Sequence, residues 1–580
     1  MRALALAASL AALFRVADAR ADGLGFVYVT SNVGQASGGH AALVADGTVY
    51  HLQNGDAGLL LLVRDGWSAF RLVYAELENR PLAVAVLDVA PEVTERVQRA
   101  FARLYVEQEL ALARRESLRQ DVRWLEAFAE HRPAPELRGA GLVSPEEAGD
   151  PDAAWLRAVV HSRAGDESLT RVTVEAERAI AENSRAPDPN RLEALREALS
   201  LREAARALGG AFGLDSHALA ALPVELDEPL TPAERAGLEA LSTHLEEAIG
   251  ELVLSARPDR GYALLLAQAR YLAARRSLAT NHLVLLDAFA GAERAEVAAD
   301  DVADDVRAKR REQAGALLRT GRAQVLATAR IDEASFNLLE EAAGIVARDG
   351  RADAAGPLSE LGLRKLPARG RSLESPPLRG DLTAALAAAR ARLREQDARL
   401  QERWAYDLVT RNCITELART ADGAFVTPDE VTRALGAAAS PEDERFGFIP
   451  FVFFERVRER MRVSRVVDIP SHRGEELERV LRESPGVATR LRESTAYTSS
   501  IYQPLMRDSA FLLFTDDVFW RRPAYGAVNL VFALGYSAFG LAAAPFDRGA
   551  RVEAGLEGMM WSLPELAFMN VRKGSFDWVD

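Results

Sequence analysis

Between residues 92 and 405 this chain has little choice but to form helices. Ala, Leu, Glu and Arg dominate there, with apolar residues at three- and four-residue spacing. The pattern predicts helices over Val93–Phe128, Ala233–Leu254, Tyr262–Phe289, Asp301–Ala329 and Leu382–Arg403. Pro- and Gly-containing breaks separate them, at 132–135, 185–189, 257–261 and 366–370. No fixed period recurs, so a solenoid is not expected. Interleaved Glu and Arg suit the solvated faces of a helical bundle.

The flanks read differently. Phe26–Thr30, His40–Ala45, Thr48–Leu52 and Pro81–Val89 are strand candidates. Asp46-Gly47 between two apolar runs is a hairpin signal, because the tight primed turns need positive φ. Residues 406–470 return to mixed character, and the aromatic run Phe446–Phe454 is expected to be core. The fold class is therefore α+β, with a β-rich part at 22–91, a helical insertion at 92–400, a second mixed part at 401–470 and a C-terminal region at 471–580. Between Arg522 and Asp547 no residue is charged. Segment 524–544 is long enough to span a membrane, to lie against one, or to form a buried helix.

The chain has one cysteine, Cys413, near the start of a helix expected over 412–420. A thiol is a good nucleophile only as thiolate, and an imidazole is its usual activator. Helix N-termini also favour thiolate. His40 would lie on the first strand of the hairpin and His51 on the second, so pairing can bring both rings to one face. Nucleophile, base and orienting residue would then be Cys413, His40 and His51. The opposing reading makes Cys413 a small buried residue and His51 an exposed turn residue. The other six histidines show no metal-ligand spacing, and no Cys cluster, Walker loop or GxGxxG occurs. Neither a metal nor an organic cofactor is expected.

At these residues the chain resembles the circularly permuted papain-like (NlpC-like) cysteine enzymes of the lecithin retinol acyltransferase type. The first block is His40-Ala41-Ala42-Leu43-Val44-Ala45-Asp46-Gly47-Thr48-Val49-Tyr50-His51-Leu52. The second is Asn412-Cys413-Ile414-Thr415-Glu416-Leu417, with Tyr406 upstream. The order His then Cys is the permuted one, and the His-to-His spacing is one residue shorter than is usual in that type. Within the group, the chain looks most like the bacterial periplasmic domain family that includes lipoprotein N-acyltransferases. The resemblance implies a permuted papain-like core, a thioester on Cys413 with His40 as base and His51 as third residue, and a phospholipid or lipoprotein as substrate. A cell-wall peptidase of the same fold and a non-catalytic envelope scaffold are the alternatives.

Residues 1–21 read as a secretory signal: Arg2, an apolar run from Ala3 to Phe14, and small-x-small sites at 17–19 and 19–21. Export to a bacterial periplasm or cell envelope is the expectation, and the Ala- and Arg-rich, Lys-poor composition fits a GC-rich bacterium. In an oxidising compartment a single Cys has no partner within the chain. The net charge of −14, without a basic block, argues against nucleic acid as a partner. Oligomeric state is not legible.

Overall fold

The computed structural model describes residues 23–567, except 31–38, 72–73, 76–79, 146–149, 186–188, 211, 290–314, 351–365, 441–446 and short stretches within 316–332, 350, 376–379, 503–507 and 516–518. The expected export signal and most of the expected helix 301–329 lie outside the described residues. The protein is α+β. It forms two compact units, 1–108 with 404–580, and 109–403. The sequence placed the first boundary at 91/92. The two compact units divide at 108/109, within one unbroken helix, Pro91–Ala129.

In chain order the strands are β1 (Leu24–Val29), β2 (His40–Ala45), β3 (Thr48–Asn54), β4 (Leu60–Gly66), β5 (Leu82–Leu87), β6 (Val143–Pro145), β7 (Phe212–Leu214) and β8 (Val463–Ile469). The helices of the first unit's N-terminal part are α1 (Trp67–Arg71) and the start of α2 (Pro91–Ala129). The second unit adds α3 (Pro151–Ala164), α4 (Ser168–Asn183), α5 (Pro189–Gly209), α6 (Pro232–Leu254), α7 (Arg260–Thr280), α8 (Glu333–Asp349) and α9 (Leu382–Trp404). The first unit then resumes with α10 (Cys413–Asp422), α11 (Pro428–Leu435), α12 (Pro450–Arg460), α13 (His472–Glu483), α14 (Val487–Glu493), α15 (Arg522–Asp547) and α16 (Ala550–Ser562).

One antiparallel sheet, in the order β4-β3-β2-β1-β5-β8, organises the first unit. β8 comes from the second mixed part, residues 401–470, and lies at the sheet edge beside β5. The predicted hairpin forms, with Asp46 and Gly47 both at positive φ and Ala45 paired with Thr48. Both faces of the sheet are covered, which explains why its strands read as apolar runs rather than clean alternations. One face packs Phe26, Ala41, Leu43, Tyr50 and Leu62 against Ile414 and Leu417 of α10, Leu435 of α11 and Phe453 of α12. Phe453 and Phe454 are buried there, as the aromatic run suggested. The other face packs Val27, Ala42, Val44 and Val49 against Phe70 and Tyr74. β4 is an edge strand. The Gln108 amide accepts from Leu62 N–H at 2.7 Å and donates to Leu62 C=O at 3.0 Å, standing in for a further strand.

The second unit is a helical bundle around Trp124, Leu125, Ile180, Leu192, Leu195 and Leu199. Buried ion pairs tie its helices, among them Arg270 with Glu340 at 2.5 Å and Arg196 with Asp121 at 2.5 Å. Such pairs contribute little net stability but are costly to break singly. The helix expected over 262–289 ends at Thr280. Asn281 takes the left-handed conformation, and the chain beyond it forms isolated bridges at His282 and Leu286.

Candidate catalytic site

The site assembles where β2 and β3 part. Their pairing runs from Ala45↔Thr48 to Ala42↔His51 and stops. β3 continues along β4 to Asn54↔Leu60, whereas β2 stays with β1 to Val29↔His40. Beyond Ala42 the ladder is open, and the N-terminus of α10 meets that gap. The backbone N–H groups of Ala41, Ile414 and Cys413 itself approach the Cys413 sulfur. Ala41 follows His40 in the chain, so the thiol lies against β2 one residue from the imidazole. Gly39 is required just before it: φ is +91°, and a Cβ would stand 2.6 Å from the Tyr28 ring and 2.7 Å from Val29 C=O.

Asn412 fixes the helix start. Its Oδ1 accepts from Ile414 N–H at 2.8 Å and Thr415 N–H at 3.0 Å. Its Nδ2 donates to Leu408 C=O at 2.7 Å and Phe448 C=O at 3.1 Å. Asn412 N–H in turn donates to Thr415 Oγ1 at 2.8 Å, completing a capping box. Asn412 is thus wholly engaged with backbone and acts by positioning Cys413. Its cap leaves the N–H of Cys413 available to an oxyanion. Upstream, Tyr406 N–H bonds Gly58 C=O at 2.9 Å and Ala405 bridges Leu59, which ties the segment before Cys413 to the β3–β4 connection.

His40, His51 and Asp65 lie on one face of the sheet in a chain of hydrogen bonds. His40 Nε2 is 3.0 Å from His51 Nδ1, and His51 Nε2 is 2.8 Å from Asp65 Oδ2. The register explains it: His51 pairs with Ala42, two residues from His40, and Asp65 pairs with Val49, two residues from His51. His51 is fully buried, so it is not the exposed turn residue of the alternative reading.

The carboxylate sets every proton in this chain. Asp65 can only accept, so His51 Nε2 carries a hydrogen and His51 Nδ1 accepts. His40 Nε2 must then donate, which leaves the Nδ1 lone pair of His40 as the basic nitrogen. Tyr74 agrees with this assignment. Its hydroxyl takes a hydrogen bond from Gln53 Nε2 at 3.2 Å and stands 3.5 Å from His51 Nδ1, a second, longer donor to that nitrogen. The Tyr74 ring stacks on His40 with centroids 5.4 Å apart, and Phe70 packs edge-on to His51. Arg80, buried, lies over the Tyr74 ring at 5.3 Å and donates to Thr30 C=O at 2.7 Å.

The charge state at rest differs from the sequence expectation. Burial pushes the Cys413 thiol up to about 11, against the opposing pull of the backbone N–H groups and Arg80. Burial, then His51 and Arg80, hold the His40 imidazole well below the usual histidine range. A helix terminus is worth about 0.3–1 kcal/mol at an exposed site. Desolvation moves a buried group by up to about 3–5 pKa units, each worth about 1.4 kcal/mol. Desolvation wins, and the resting pair is neutral thiol with neutral imidazole. The rate of iodoacetamide alkylation at Cys413 should therefore climb with pH through the alkaline range toward pH 11. A plateau already reached at pH 6–7 would mean a preformed ion pair.

The structure brings His40 and His51 together at 3.0 Å, and it sets the Cys413 sulfur against the backbone N–H of Ala41, the residue after His40, with no hydrogen bond between the thiol and either ring among the described residues. Asp65, Tyr74, Gln53 and Arg80 were not singled out from sequence. Asp65 had a faint signal, an acid two residues after the apolar run Leu59–Val63. Tyr74 and Arg80 had none. Comparison with protein-family models, curated proteins and solved structures finds no match to this chain in any of the three.

Proposed function

We propose that the protein is a cysteine-dependent acyltransferase or lipid-directed hydrolase of the bacterial cell envelope, built on a permuted papain-like core. The observation that carries this reading is the relay Asp65–His51–His40, whose proton order leaves a basic Nδ1 on His40, the residue before the Ala41 whose N–H meets the Cys413 sulfur. His40 Nδ1 takes the thiol proton as sulfur attacks the acyl carbon of an ester. The tetrahedral oxyanion is met by Cys413 N–H. The intermediate collapses to a thioester as the leaving alkoxide takes the proton from His40. An amine or water, deprotonated by the same Nδ1, then attacks the thioester and releases the thiol. His51 orients the base, and Asp65 stabilises the positive charge that develops along the relay.

The acyl donor is a phospholipid or the lipid of a lipoprotein. Intact-protein mass spectrometry after incubation with phosphatidylethanolamine vesicles should show an adduct of one fatty-acyl group, mapped to the Cys413 peptide and removed by neutral hydroxylamine. Absence of that adduct, with cleavage of a cell-wall peptide instead, would assign the same residues to a peptidase.

A further inference from the structure

The C-terminal hairpin of α15 and α16 is packed inside out for a protein in water. The residues that α15 buries are Arg522, Gly526, Asn529, Ala533, Ser537 and Gly540, all small or polar. α16 meets them with Ala554, Gly555, Gly558 and Ser562. The backbones are close: a Cβ on Gly555 would lie 2.1 Å from Ser537 Oγ, and one on Gly540 2.7 Å from Val552 N. The large apolar residues point outward instead, with Val531, Leu534, Phe539, Leu541, Phe546 and Leu556 between 57% and 90% exposed. Small residues inside and large ones outside is the packing of helices whose solvent is hydrocarbon.

We infer that this hairpin is seated in one leaflet of a lipid bilayer. Three observations favour lipid over a protein partner. From Pro523 to Phe546 nothing is charged, a length of about 36 Å at 1.5 Å per residue. Leu534 and Phe539 lie roughly 140° apart around the helix, so the apolar surface wraps α15 instead of offering one contact stripe. Charge and aromatic rings gather at the ends: exposed Trp520 with Arg521 stacked on it at 4.6 Å, and exposed Arg548, suited to the phosphates and carbonyls of headgroups.

The same structure argues against a full crossing by the hairpin. α16 is 13 residues, about 20 Å, too short to return through about 30 Å of hydrocarbon. It also carries Glu553 and Glu557. Asn529 is committed to loop backbone, accepting from Leu512 and Leu513 N–H at 3.0 and 2.8 Å and donating to Leu513 C=O at 2.9 Å. Loop backbone of this kind does not face lipid.

The test is flotation of the purified full chain with vesicles of phosphatidylethanolamine and phosphatidylglycerol, read without any turnover. Co-flotation that persists in 0.5 M salt is expected, since a chain of net charge −14 gains nothing from anionic headgroups. The double variant Val531→Glu, Leu541→Glu should lose it by about 100-fold or more, with helicity by circular dichroism unchanged because both side chains point outward. Flotation that survives in the variant overturns the inference. So does a wild-type chain that stays with the soluble fraction, whether monomeric or self-associated by sedimentation.

Discussion

Replacing Cys413 by serine should lower turnover of an acyl ester by on the order of 10³-fold or more, with the thermal unfolding midpoint nearly unchanged. The side chain is half-buried at a helix start already held by Asn412, so the swap disturbs little packing. The chemistry is what changes. A hydroxyl is a far poorer nucleophile than a thiol, and its proton is held several pKa units more tightly. His40→Ala should cost a comparable factor, and the double variant little more than either single change, because the two act in one step. The pH profile of kcat/KM should hold its plateau below pH 6.5, because the base is neutral there: its pKa is depressed by burial. Turnover retained within tenfold in Cys413→Ser would end the acyl-enzyme account. Additive losses in the double variant would separate His40 from the same step.

Asp65→Asn should lower kcat/KM by on the order of 10²–10⁴, although Asp65 touches neither the thiol nor the substrate. Asparagine can offer N–H to His51 Nε2 where the carboxylate could only accept. His51 is then free to carry its hydrogen on Nδ1, facing the hydrogen on His40 Nε2. One of the two rings must change tautomer or turn, and the basic nitrogen of His40 is lost or displaced. The carboxylate charge that favours protonation of His40 in the transition state is lost as well. The discriminating readout is kcat against KM, with KM expected to hold and kcat to fall. A loss of less than threefold, or a loss confined to KM, would reduce Asp65 to a structural partner of His51. Tyr74→Phe offers the milder contrast, since its hydroxyl stands 3.5 Å from His51 Nδ1 and Asp65 alone still fixes the tautomer.

Local rules carried much of this protein. Asp46-Gly47 specified the hairpin, the three- and four-residue apolar spacing specified the long helices, and the sequence around Cys413 specified a helix over 412–420, which the structure places at Cys413–Asp422 with Asn412 as its cap. These features depend on contacts a few residues apart, and their energetics are written in adjacent side chains. The absence of charge from 523 to 546 was equally plain, but not its orientation. Whether Gly540 or Phe539 faced the neighbouring helix depended on where α16 and the loop at 510–515 came to lie.

The relay needed the whole sheet. Asp65 sits 14 residues from His51 on a strand with no distinctive pattern, and it becomes an electrostatic partner only through the β3–β4 register. Tyr74 and Arg80 reach His40 from beyond that strand. Cys413 arrives from more than 370 positions away, once the helical insertion has returned the chain to the sheet. The charge state of the pair was also a tertiary property. Sequence places the thiol at a helix N-terminus, which favours thiolate, but only the tertiary structure half-buries it. That burial outweighs the helix end, pushing the Cys413 thiol up and the His40 imidazole down.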